Sequence, residues 1–178
     1  MRRTLLLLAP IQLALAAMPL TAHARAPQAL ACAVIAAPEG LDAQLAEGML
    51  TLDETRSKPA LDTLHALVDR CAADQFLSDK ERDAYFGYVL GRMARDGLDA
   101  RLKAEGIPSD LIDKALDIGP GNANNPATQV TQGDLRRVSA ALSEAGHDPA
   151  KVTPVGWGLI TAWIAATAQM FDALRVLD

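Results

Sequence analysis

The sequence predicts an all-α fold: a compact, single-domain bundle of about six helices, stapled by one disulfide. Three observations lead there. Half of the 178 residues are hydrophobic but only 4% are aromatic, so the core must be built from Leu, Ala, Ile, Val and Met. Ala- and Leu-rich segments poor in β-branched residues lose little rotamer freedom in a helix. Apolar residues recur at helical spacing along most of the chain, and no alternating stretch is long enough to support a sheet. No internal repeat at a fixed period is present.

Residues 1–24, MRRTLLLLAPIQLALAAMPLTAHA, read as a cleaved secretory signal. Arg2 and Arg3 form the basic start, an apolar stretch follows, and Ala22-His23-Ala24 supplies the small-x-small pattern for cleavage after Ala24. The remaining residues, 25–178, are of one-domain length. The style of the signal is bacterial and the expected location is the periplasm or the exterior.

Residues 25–40 are apolar enough for a short helix ending before Pro38. Leu41, Leu45, Met49 and Leu52 define the next amphipathic helix, which the polar run DETRS is expected to break. Ser57 then serves as a cap and Pro59 as a first-turn residue for a helix reaching about Phe76. Its inward stripe is Leu61, Leu64, Val68, Cys71 and Ala72. Ser78-Asp-Lys-Glu81 is a capping box that starts a long helix to about Ala104. Gly97 marks a potential kink or break in it, and Gly106 suits its C-terminal cap. One face of this helix carries Tyr85, Phe86, Val89, Leu90 and Met93, and another carries the small residues Ala84, Gly87, Gly91 and Ala94. Small stripes permit close helix approach, which places this helix at the centre of the bundle.

A short helix over DLIDKALDI precedes a Gly/Pro/Asn loop near 119–130. Thr131 to Asp134 cap the next helix, which ends near Gly146. Pro154 opens the last one. Val155 to Phe171 contains no charge, so helix 155–176 is either a buried core helix or a membrane-associated tail; the interspersed Gly, Thr and Gln favour the core.

Charge and cysteine content limit the partners. Two of the 17 basic residues and none of the 22 acidic ones lie in the signal, so residues 25–178 carry a formal charge of −7. An acidic chain with few aromatics is a poor partner for nucleic acid or anionic membranes. Cys32 and Cys71 form an even pair in a chain addressed to an oxidising compartment, which predicts one disulfide. It would close a loop of about 40 residues, worth roughly 4 kcal/mol in the chain-entropy model.

Chemistry-bearing motifs are sparse. Asp62, His65 and Asp69 share one helix side and form a weak polar-site candidate for general-base or metal chemistry; the plain reading is surface electrostatics. His147 lies in a turn. No nucleophile elbow, phosphate-binding glycine loop or EF-hand sequence occurs. Arg92–Asp96, Arg95–Asp99 and Asp99–Lys103 read as a solvated face of i,i+4 pairs. No catalytic set, metal site or cofactor is assigned. The functional expectation is therefore a secreted or periplasmic, non-catalytic protein that binds an envelope protein or a small apolar ligand. Phe86, Leu90, Met93, Trp163 and Met170 are the expected lining of an apolar cavity. Two alternatives are a small hydrolase or metal-dependent enzyme using His65 with Asp62 and Asp69, and an envelope protein tethered by helix 155–176.

Overall fold

In a computed structural model that describes residues 27–118 and 130–177, seven α-helices and a 3₁₀ turn follow one another without strands. They are α1 (Pro27–Ile35), α2 (Leu41–Thr51), α3 (Glu54–Asp74), α4 (Asp79–Ala104), α5 (Ser109–Leu116), α6 (Gln132–Glu144), the 3₁₀ turn Pro149–Lys151, and α7 (Pro154–Leu177). The expected signal at 1–24 with cleavage after Ala24, and the expected loop near 119–130 apart from Val130, lie outside the described residues.

The antiparallel pair α4 and α7 forms the spine. The small stripe of α4 faces α7 so closely that a Cβ on Gly91 would lie 2.6 Å from the Ala166 carbonyl oxygen. On Gly87 it would lie 3.6 Å from the Ala173 Cβ. The charge-free surface of α7 is used for this packing: Leu159, Ile160, Trp163, Ile164 and Ala166 are buried in a core shared with the C-terminal half of α4, α5 and α6. A second apolar cluster joins α1 and α3 to the N-terminal half of α4, with Leu64, Val68, Tyr85 and Val89 at its centre. Among the described residues no helix is long and apolar enough to cross a membrane.

Two local expectations are corrected. α3 begins at Glu54, not after Ser57: Asp53 caps it by accepting a hydrogen bond from the Arg56 N–H at 3.1 Å. DETRS is thus the first turn of a helix, and the break falls at Leu52, which takes the left-handed conformation (φ 52°). Pro59 lies inside α3 rather than in its first turn. Gly97 does not end α4, which runs on to Ala104. A Cβ there would lie within 2.4 Å of the Asp42 carbonyl oxygen, so this glycine lets α2 cross against the α4 backbone.

The capping boxes at Ser78–Glu81 and Thr131–Asp134 are present. Gly106 and Gly146 take left-handed φ values of 72° and 85° where α4 and α6 end. Phe76 takes the same conformation (φ 53°) after α3. Like Leu52, it is an apolar side chain in a turn position that favours glycine, and both point to solvent at 93% and 83% exposure.

Cys32 and Cys71 form the disulfide, joining α1 to α3 with their Cα atoms 6.0 Å apart. Two side chains complete the anchorage of α1. The Tyr85 hydroxyl accepts a hydrogen bond from the Ala33 N–H at 3.1 Å and donates to the Leu30 carbonyl at 3.4 Å. Gln75 Nε2 donates to the Ala29 carbonyl at 2.9 Å. Burial pushes the Tyr85 pKa above its ordinary value, so the hydroxyl keeps the proton that this bridge requires.

Candidate functional site

A cleft of about 660 Å³ lies between α4, the α5 region and α7. Its size is in the range of small-molecule sites. α4 contributes Tyr88, Arg92, Arg95, Asp96 and Asp99, which recur every three to four residues and so share one side of the helix. α5 contributes Asp113, and Ile118 follows it. α7 contributes Trp163, Met170, Phe171 and Leu174. Because α4 and α7 run antiparallel, the cleft follows α4 from Tyr88 to Asp99, a span of roughly 16 Å at 1.5 Å per residue.

Arg95 organises the inner end. Its side chain is only 16% exposed and pairs with Asp113, Nη2 to Oδ2 at 2.8 Å. Its Nη1 donates to Thr167 Oγ1 at 2.6 Å, and its guanidinium carbon lies 4.0 Å from the centroid of the Trp163 ring. The Trp163 indole N–H donates to Asp113 Oδ1 at 2.8 Å. Thr167, fully buried, passes its own proton to the Trp163 carbonyl at 2.7 Å. A partly desolvated charge needs such compensation, and here a carboxylate, a hydroxyl and an aromatic face all supply it. The network fixes the indole and guanidinium in position, joining α4, α5 and α7.

The remaining carboxylates are committed to different degrees. Asp99 accepts from Lys103 Nζ through one oxygen and from Ser109 Oγ through the other, and these bonds hold its pKa below the usual value. Asp96 meets Arg92 only through Nε, at 3.4 Å, and both side chains are about half exposed. The expected Arg95–Asp99 pair does not form, because Arg95 turns to Asp113. The rest of the cleft is an apolar wall of Tyr88, Met170, Phe171 and Leu174.

The sequence-derived cavity set is divided by the fold. Trp163 and Met170 line this cleft. Phe86 lies in a separate groove against α3, Leu90 faces the α2–α3 turn, and Met93 is buried in the second core cluster. All five are apolar positions on inward helix faces, but helical periodicity does not say which neighbour each face meets. Arg95 and Asp113 were missed as site residues. The available signal was Trp163 itself, because an indole N–H inside a charge-free helix needs an acceptor from elsewhere.

Asp62, His65 and Asp69 do not form one cluster: His65 and Asp69 line a groove with Arg82 and Phe86, and Asp62 is not part of it. Asp62 is held by Lys58 at 2.8 Å, and Asp69 faces Arg82 at 4.0 Å. The His65 ring stacks on Phe86, with centroids 4.0 Å apart. All three are exposed, and no hydrogen bond links the imidazole to either carboxylate. Among the described residues no group of three or more His, Cys, Asp or Glu side chains is placed to hold a metal ion.

Comparison with protein-family models, curated proteins and solved structures yields no match to this chain, so its function must be read from its own residues.

Proposed function

We propose that this is a periplasmic or secreted, non-catalytic binding protein whose cleft between α4, α5 and α7 takes a small amphipathic molecule. The observation that carries this reading is the fixed Arg95–Asp113–Trp163–Thr167 network facing one end of a cleft whose other end is apolar. An apolar wall binds by removing surface from water, while a few rigid polar groups set orientation. The disulfide supports a non-cytoplasmic setting, since such bonds persist where the environment is oxidising.

Trp163 reports on the cleft directly. Replacing Trp157, which lies outside it, by Phe leaves one indole to observe. Titration with an octyl amphiphile below its micelle concentration should then give a saturable change in Trp163 emission. Phe171→Asp in the apolar wall should abolish the change while circular dichroism stays helical. A linear, non-saturating response, or one indifferent to Phe171→Asp, would overturn the proposal.

A further inference from the structure

We infer that the cleft selects a zwitterionic head group, read by the Arg92–Asp96 pair; this inference rests on the cleft being the binding site. The first ground is charge balance. Asp113 is matched by Arg95, Asp99 by Lys103 and Asp96 by Arg92. A ligand with net charge must either break one of these pairs or sit beside a like charge in a partly desolvated space. A ligand with no net charge avoids both.

The second ground is the inventory of unused polar atoms. Both oxygens of Asp113 and both oxygens of Asp99 have protein donors. Among the described residues, the Asp96 Oδ1 has no hydrogen-bond donor and the two terminal nitrogens of Arg92 have no acceptor. The free acceptor and the free donors lie one helical turn apart on the same side of α4, in the middle of the cleft. A head group carrying an anion and a cation can lie antiparallel to this ion pair, with its anion on the Arg92 Nη atoms and its cation on Asp96 Oδ1. Its apolar chain then extends along Met170, Phe171 and Leu174. An uncharged head group would satisfy the charge balance but leave the paired ends unread.

Four octyl probes with different heads test this by Trp163 emission in the Trp157→Phe background: octylphosphocholine, octyl sulfate, octyltrimethylammonium and octyl glucoside. The zwitterion should bind about tenfold tighter than each of the others, the equivalent of about 1.4 kcal/mol. Asp96→Asn should move preference toward octyl sulfate and Arg92→Gln toward octyltrimethylammonium. Both positions are half exposed, so the fold should tolerate either change. Equal binding of all four probes, or tighter binding of a singly charged one, would overturn the head-group assignment while leaving the cleft as an apolar site. Failure of all four would remove the cleft reading and this inference together.

Discussion

α4 is held on two flanks by different means. Toward α7 the contact is made by shape: glycine and alanine bring two long helices together until there is no room for a methyl group on Gly91. Toward α1 the contact is made by chemistry: the buried Tyr85 hydroxyl of α4 holds a nine-residue helix that a disulfide and the Gln75 amide also tie to α3 and its C-terminal end. Helix length accounts for the difference. α7 spans 24 residues and can bury a long apolar stripe, whereas an isolated helix of nine residues is marginal in water and buries little. The α4–α7 pair is secured chiefly by its surfaces, with Arg95 adding bonds to Thr167 and the Trp163 ring, and α1 chiefly by specific bonds.

The largest test of this contrast is removal of the staple. Cys32→Ser with Cys71→Ser should cost about 4 kcal/mol of unfolding free energy, and amide exchange should accelerate first in α1. Uniform acceleration through α4 and α7 would show that the α1 flank supports the whole bundle. On the other flank, Gly91→Ala should cost roughly 1–3 kcal/mol by overpacking against Ala166 and Met170, measured by denaturant unfolding. A neutral result would mean that the helices separate without loss, and that shape is not what holds them.

Tyr85→Phe keeps the apolar ring but leaves the buried Ala33 N–H without its hydroxyl acceptor, an expected loss of about 1–2 kcal/mol. The same contact predicts an alkaline limit. Because the Tyr85 pKa is raised in the folded state, the unfolded chain releases this proton first, and stability should fall as pH rises through about 10. Tyr85→Phe should remove that dependence from the unfolding curve.

Asp134 sets an acid limit. Burial pushes its carboxyl up, but hydrogen bonds from Thr131 and Arg137 outweigh that and hold its pKa below the usual value. The stability it supplies is present above the ordinary pKa of about 3.9 and is lost as pH falls through the lower folded value. Asp134→Asn should flatten that part of the profile. The smallest expected effect is a gain: Phe76→Gly should stabilise by about 0.5–1 kcal/mol, since it relieves a left-handed residue whose side chain packs on nothing. If stability falls instead, the exposed ring has a structural role.

Much of this architecture was legible in the sequence. Ser78 and Thr131 announce their helices because a capping box is a local, four-residue signal. The Cys32–Cys71 pairing follows from there being two cysteines. The small stripe on α4 correctly signals a close neighbour, but not that Gly97 serves a second one. Asp53 was masked by the more familiar Ser-x-Pro at 57–59. The candidate site was much less legible. Arg95 and Asp99 are ideally spaced for a surface pair, and only the tertiary fold brings Asp113 and Trp163 close enough to draw Arg95 away. Local spacing reports what side chains can do within one helix; the cleft is made by three.

The disulfide also governs how the protein matures. Cys32 and Cys71 are the chain's complete cysteine complement, so intramolecular oxidation has a single product and no mispaired form exists to be reshuffled. Closing this bond within the 178 residues needs an electron acceptor and no exchange of partners between cysteines. Once the bond closes, no remaining thiol is available to attack it from within the same molecule.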